Sequence, residues 1–208
     1  MDARTFTRSA WNGALDLLYP PRCAVCGRPG PDVFCDRCAA AVRAVPGPLC
    51  SRCGVPSDHG RCDRCSRSDR YSFAWARGAG LYEGTLRDAV LAMKYGRRRR
   101  LAEPLGWLLG DLLLSAPFGE RAPDALVPIP LHPGRLADRG FNQSELLARA
   151  AGRCAGLAVE TRALRRVRAT RPQAELDLAE RGGNVVGAFA VAAPDRVEGR
   201  ALVVIDDV

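Results

Sequence analysis

The sequence predicts an α/β protein, a parallel sheet with flanking helices, preceded by a small cysteine-rich module that metal ions hold together. Three observations predict it. Eight of the nine cysteines lie between Cys23 and Cys65 in a doubled pattern. Beyond them the runs at 125–130 and 201–205 are apolar throughout, as strands covered on both faces of a parallel sheet are. Helical periodicities alternate with these runs, the order expected of β–α units.

The cysteines come first. They read Cys23-x2-Cys26-x8-Cys35-x2-Cys38, then Cys50-x2-Cys53-x8-Cys62-x2-Cys65, the second set repeating the first at a shift of 27 residues. Each leading pair is followed by glycine, Gly27 or Gly54, which suits a knuckle whose backbone turns so that two sulfurs face one ion. Four thiolates close a tetrahedral shell and leave no position for water or substrate, so each metal is expected to be structural Zn2+. The block has few large apolar residues (Val25, Val33, Phe34, Val42, Val45, Leu49 and Val55), too little core to fold without a staple. Disulfides would require export, and iron–sulfur ligation generally uses less symmetric spacing. Pairing within each set is the simpler arrangement, and a crossed one stays open. Cys154 lies in a helical stretch and reads as a small buried hydrophobe. His59 is at best a surplus ligand in a turn.

Composition bounds the remainder. A chain of 208 residues accommodates one ordinary domain and a small module. With 47% hydrophobic and 26% charged residues, it has a core and is not a disordered chain. The net charge of +8 attracts phosphate-bearing partners without identifying one. Lys94 is the only lysine, and we read the arginine bias as coding bias rather than a demand for bidentate phosphate contacts. The apolar stretch at 101–118 is broken by Glu103, Pro104 and Asp111, so no membrane span is expected. The N-terminus lacks the apolar core of a secretory signal, and a cytoplasmic location is expected. We divide the chain into an N-terminal amphipathic segment at 1–20, a cysteine module at 21–68 and an α/β domain at 69–208.

Within that domain, 73–82 alternates loosely and reads as a strand, and 84–95 places Leu86, Ala89, Val90 and Met93 on one helical face. A second helix covers 101–114, with Pro104 in its first turn. The apolar run at 125–130 is a strand feeding a loop that extends to Gln143. Asn142 and Glu145 have capping-box spacing, with Phe141 and Leu146 as the hydrophobic staple, so a helix is expected from Gln143 to Cys154. Leu164 to Val167 is a weak strand, Ala174 to Arg181 a short helix, Ala188 to Val191 a short strand, and 201–205 the last strand. In a parallel sheet, ligands bind beyond the carboxyl ends of the strands. The acidic pair Asp206-Asp207 sits there, with the loop carrying His132, Arg135 and Arg139. Acids accept from sugar hydroxyls or hold hydrated Mg2+, and a basic loop holds phosphates, so the combination points to a phosphorylated sugar. An acidic pair opening a solvated turn reads the same way.

Several stretches resemble the ComF/GntX family, phosphoribosyltransferase-like proteins associated with competence for DNA uptake: LLYPPRCAVCG at 17–27, LYEGTLRDAVLAMKYG at 81–96, LVPIPLHPGRLADRGFNQSELLARA at 126–150, RATRPQAELDLAERGGNVVGAF at 168–189 and ALVVIDDV at 201–208. The cysteines match that family's double zinc ribbon. The resemblance implies a type I phosphoribosyltransferase fold in which Asp206 and Asp207 contact the ribose of phosphoribosyl pyrophosphate. It also implies that Pro130, Leu131, His132, Pro133 and Gly134 form the loop approached by pyrophosphate with Mg2+, beside a flexible segment of Arg139, Gly140, Phe141, Asn142 and Gln143. The family pattern continues after the acidic pair into a Thr/Gly loop for the 5-phosphate. This sequence stops at Val208, so the transferase-like fold is expected to be incomplete and the site weak. An alternative is a zinc-ribbon adaptor that binds single-stranded DNA and DNA-uptake proteins, with Arg97, Arg98, Arg99 and Arg100 on phosphates. Such a run is also what a solvated loop before a helix looks like. Lys94 reads as a helix-end residue, Gln173, Arg181 and Asn184 as helix-capping polar groups or an acceptor-side lining, and no base is specified.

Overall fold

The structure, a computed structural model, describes residues 20–67, 71–116, 121–171 and 177–208. The expected N-terminal segment at 1–19, Gln173, and the start of the helix expected from Ala174 lie outside the described residues. Among those described, no helix is long and apolar enough to cross a membrane. The chain forms two compact units: residues up to Ala44 with Gly80–Leu101, and Val45–Ala79 with Ala102–Val208.

The first unit is built on one cysteine knuckle. Gly27 adopts φ 71°, a left-handed conformation that glycine takes without steric cost, and this turns the chain between the two cysteine pairs. Helix α1, Asp36–Ala40, carries Cys38 inward. The chain returns as helix α2, Gly84–Lys94, and a 3-10 turn, Arg99–Leu101. Ala89, Val90 and Met93 of this helix are buried, as the helical spacing predicts, whereas Leu86 of the same face is half-buried; Phe34 and Leu101 are buried as well.

The second unit starts with the second knuckle and helix α3, Asp63–Ser66. Residues 73–82 form no strand, contrary to the alternation read from the sequence. Part of this segment is tied to the knuckle: Ala76 N–H donates to Arg52 O at 2.6 Å, Arg52 Nε to Phe73 O at 3.3 Å, and Arg77 to Ser51 O at 3.2 Å. A side chain on Gly54 would meet Ala76 O at 2.5 Å, so only glycine allows this approach. Hydrogen bonds that a strand would give to a ladder go to the knuckle instead.

Helix α4, Ala102–Ser115, packs against helix α6, Gln143–Ala155. Gly106 and Gly110 make the close approach, because a Cβ on either would lie 2.3 Å from Ala150 Cβ or 2.4 Å from Cys154 Cβ. Cys154 packs against Gly110 but is half-buried, less enclosed than the buried small hydrophobe that the sequence suggests. The sheet has three parallel strands in the order β2 (Ala158–Val159), β1 (Ala125–Pro128), β5 (Leu202–Ile205). Strand β1 is buried along its length, whereas Val204 of β5 is 54% exposed, so the last strand is not covered on both faces.

Two expectations are corrected here. Strands β3 (Leu164–Arg166) and β4 (Phe189–Val191) do not join the parallel sheet; they form a separate antiparallel ribbon. With Arg165 and Arg166 in β3, a buried sheet position would desolvate two guanidinium groups, whereas the ribbon leaves Arg165 exposed and Arg166 half-buried. The loop expected from Pro128 to Gln143 contains helix α5, Pro133–Arg139, started by Pro133 and ended at Gly140 with φ 76°. Helix α7, Leu178–Val185, opens with a capping box between Asp177 and Glu180.

Two outcomes are expected. Gly106→Ala, which would gain roughly 1 kcal/mol in an exposed helix, should instead lose about 1–3 kcal/mol through overpacking, measured by urea unfolding. The Ala201 N–H, above all, holds the Asp124 carboxyl below its usual value of 3.8, with Arg121 and Arg200 assisting. A carboxyl depressed by folding stabilises above its unfolded value and loses that contribution as pH falls through the folded one. Asp124→Asn should therefore lower stability at neutral pH and have progressively less effect on acidification below about pH 4.

Candidate functional site: two cysteine clusters and a carboxylate site

The eight ribbon cysteines converge into two groups, Cys23, Cys26, Cys35 and Cys38 in the first unit and Cys50, Cys53, Cys62 and Cys65 in the second. In each group all four sulfurs lie within 4.8 Å of one another. Cys23–Cys38 and Cys26–Cys35 are 3.7 Å apart and Cys53–Cys62 3.6 Å. A tetrahedron with Zn–S bonds of 2.3 Å has edges of about 3.8 Å, so these clusters fit zinc. Disulfides would bring sulfurs to about 2.0 Å. Pairing is within each repeat, and the crossed alternative does not occur. The repeats match in detail: Cys35 and Cys62 cap their helices at ψ 158° and 159°, and the bridges Arg22–Pro29 and Leu49–Pro56 are equivalent.

The electrostatics of the clusters favour thiolates unevenly. N–H groups of Cys62 and Cys53 lead in bringing Cys50 down to about 5, against burial. At Cys23 burial opposes ionisation, but N–H donors from Cys26, Cys35 and Val25 prevail and bring it to about 6. Burial, then the neighbouring sulfurs, pushes Cys65 up to about 12 and raises Cys38 similarly. Without a cation the fourth thiol resists ionisation; a divalent ion supplies the charge that lets all four do so. His59 joins neither group.

The second site lies at the carboxyl ends of β1 and β5. Pro128 is paired with Ile205, and Ile129 N–H donates to Ile205 O at 3.0 Å, so the loop after β1 and the acids after β5 leave the sheet side by side. Ser144 Oγ donates to Asp206 Oδ1 at 2.9 Å, and Asp207 N–H reaches the same oxygen at 2.9 Å. Ser144 is 1% exposed, so Asp206 is held from a buried anchor. Asp206 is exposed and Asp207 half-buried with a buried Oδ2.

The other expected residues separate by role. Asn142 caps α6, accepting from Ser144 N at 3.1 Å and donating to Ile129 O at 3.0 Å. Arg139 donates to Gln143 Oε1 at 2.6 Å, and Gln143 is buried. Phe141 is buried, and Gly140 ends α5. His132 caps α5 through Nδ1, which accepts from Gly134 N at 3.4 Å. Pro133 and Gly134 lie in its exposed first turn, and Pro130 and Leu131 are half-buried before it.

Ser144 and Arg166 escaped the sequence reading. Arg166 stacks over Phe189 at 5.2 Å and bonds Thr170. Burial, then the charges of Arg135 and Arg168, lowers its pKa, while Asp206 opposes them. Among the described residues its buried Nε has no acceptor. The sequence signals were a serine directly after GFNQ and paired arginines in a strand. A cleft of about 660 Å³ runs along β5 to Asp206, lined also by Trp75, Leu112, Arg121 and Val203.

Residues 14–67 match the Double zinc ribbon domain family. The chain is 36% identical over 129 residues to the DNA utilization protein YhgH of Salmonella typhimurium strain LT2, and equally to those of Salmonella typhi and Escherichia coli K12. Each alignment covers 61% of this chain and 56% of the relative, so the chain spans little more than half the length of the relatives it matches. No solved structure matches.

Zinc analysis of the purified protein should find two ions per chain. Cys26→Ser and Cys53→Ser should each release one, and a protein that keeps both ions after either change would contradict the pairing. The N-terminal part of the chain is thus a double zinc ribbon joined to a mixed α/β fold with a three-stranded parallel sheet.

Proposed function

We propose that this protein binds a phosphorylated sugar at the carboxyl ends of β1 and β5 and serves a process that handles DNA. Phosphoribosyl pyrophosphate with Mg2+ is the ligand that the ComF/GntX resemblance implies, and transfer of its phosphoribosyl group is the reaction class. The observation that carries the reading is the Ser144–Asp206 bond, from the first turn of α6 to the residue that follows β5, beside the level ends of two in-register parallel strands. It holds a carboxylate at a strand end, where ribose hydroxyls are recognised in folds of this kind.

In this reading Asp206 and Asp207 accept from the ribose hydroxyls, and bound Mg2+ neutralises the pyrophosphate. The residues Pro130, Leu131, His132, Pro133 and Gly134 lie on the pyrophosphate side. Arg166, half-buried near Asp206 and with a buried Nε that has no acceptor among the described residues, is the cation suited to face an anionic ligand. The zinc ions stabilise the ribbons and take no part in the chemistry. A role in DNA use draws support from the YhgH proteins, named for DNA utilization, and the resemblance extends this to DNA-uptake partners.

Calorimetric titration of the protein with magnesium phosphoribosyl pyrophosphate tests the proposal. Asp206→Asn should lose about tenfold or more in affinity. Ser144→Ala should weaken binding less, because it frees the carboxylate without removing it. Absence of binding, or full affinity after Asp206→Asn, removes the sugar-phosphate reading.

A further inference from the structure

We propose that the first unit carries a separate binding site for single-stranded nucleic acid, a cleft that takes a backbone phosphate between Arg22 and Arg98 and a base on Tyr95. The cleft has a volume of about 580 Å³ and is lined by Pro20, Pro21, Arg22, the start of the cysteine knuckle, and Arg98. That volume is in the range of small-ligand pockets and takes a nucleotide rather than a duplex. Among the described residues no carboxylate lines it.

Both arginines are held in position by backbone. Arg22 donates one nitrogen to Gly27 O at 3.1 Å, within the knuckle, and a guanidinium has further donors for an oxyanion. Arg98 follows a fixed turn. After α2 the chain passes Gly96 and enters Arg97 at φ 53°, the only non-glycine residue with positive φ among those described. The conformation costs roughly 1 kcal/mol or more for an L-residue, and strain of this kind persists where surrounding structure imposes it. Arg98 N–H closes on Ala92 O at 3.2 Å and Arg99 N–H on Arg97 O at 2.9 Å. The arginine run is therefore a formed turn that sends Arg98 to the knuckle, with Arg97, Arg99 and Arg100 exposed around it.

Charge balance decides whether an anion can enter. A zinc tetrathiolate carries a formal charge of about −2, and Cys23 belongs to the cleft wall. A phosphate is repelled by that cluster unless cations outweigh it. Arg22 and Arg98 in the wall, Arg28 on the knuckle and the remaining arginines of the turn do so. Tyr95 supplies the second element. It caps α2 three residues before the cleft-lining Arg98 and is 68% exposed, a large aromatic surface on the same turn. Alternating cation and aromatic contacts are how single strands are held without sequence preference. The site lies in a different unit from Asp206 and does not depend on the sugar-phosphate reading.

The test is fluorescence anisotropy of a labelled oligothymidylate of about fifteen nucleotides with the zinc-loaded full chain across a salt series. Arg22→Ser/Arg98→Ser should weaken binding by at least about tenfold and make the log–log salt slope shallower by about 0.7, the increment for one neutralised phosphate on a single strand. Tyr95→Ala should cost about tenfold with the slope unchanged. Arg22→Lys/Arg98→Lys should keep most of the slope, and Asp206→Asn should leave DNA affinity intact. Zinc content and circular dichroism identify any variant that has unfolded. Arg37→Ser/Arg87→Ser removes the same charge from the same unit outside the cleft. Equal losses in both serine pairs, an unchanged Arg22/Arg98 variant, or tighter binding of the matching duplex overturns the proposal. So does a result in which the arginines govern binding to phosphatidylglycerol vesicles and not to the oligonucleotide.

Discussion

The α/β unit depends on one register. Ala125 faces Leu202 and Pro128 faces Ile205, so β1 and β5 end at the same level. The Asp124 carboxylate clamps the start of this pairing at Ala201 N–H, 2.7 Å away, and Asp124 N–H returns a bond to Ala201 O. Strand side chains alternate in direction, so a one-residue slip would turn every side chain of β5 to the opposite face. Ser144 could then no longer hold Asp206, and Asn142 would still fasten the loop to Ile129 with no carboxylate beside it. The acidic pair has meaning as a site only while this ladder is in place.

Zinc imposes the second constraint, and it acts locally. Each ribbon holds too few apolar side chains to fold on its own hydrophobic burial, so metal binding supplies the folding energy. The consequences differ between the clusters because each belongs to its own unit. In the second, Arg52 and Ser51 of the knuckle hold residues 71–77, and the same segment walls the cleft that ends at Asp206. Loss of that ion releases a wall of the cleft as well as the knuckle. In the first, the knuckle provides Arg22 and the backbone beneath it, so its ion underlies the basic cleft instead.

Features that depend on neighbours in sequence were legible. The repeat at a shift of 27 residues, the glycine after each leading pair, the apolar face of α2 and the Asn142 cap all follow from spacing within a few residues. Residues 73–82 were misread because loose alternation describes any half-buried segment, and nothing local reveals that its hydrogen bonds go to Arg52, some twenty residues earlier. Helix α5 was hidden inside a proline- and arginine-rich stretch, although Pro133 and Gly140 stand at the positions that start and stop a helix. The antiparallel ribbon required pairing between Leu164 and Val191. Ser144 was missed for the same reason as Arg166: its partner is 62 residues away, and only the assembled sheet brings them together.

Arginine content says little until each side chain is given its surroundings. Arg168 donates to the carbonyl oxygens of Asn184 and Val186, closing the carboxyl end of α7, where a cation is favoured by the helix dipole. Arg196 and Arg200 share Glu160 and hold the approach to β5. These are structural cations whose charge is already answered. Arg166 differs because it is partly desolvated among other arginines and its Nε has no acceptor among the described residues, a cost that an incoming anion would relieve. Arg22 and Arg98 differ in the other direction, since they stand in an open cleft where a phosphate can keep part of its hydration while it gains charge-assisted bonds. A chain with a net charge of +8 thus has two environments where an anion is favoured, one beside a carboxylate pair and one beside a thiolate cluster. In both, the neighbouring negative groups limit how tightly a bare anion binds. Both would therefore take, on the readings proposed above, ligands that bring something besides charge: ribose hydroxyls for Asp206, and a base for Tyr95.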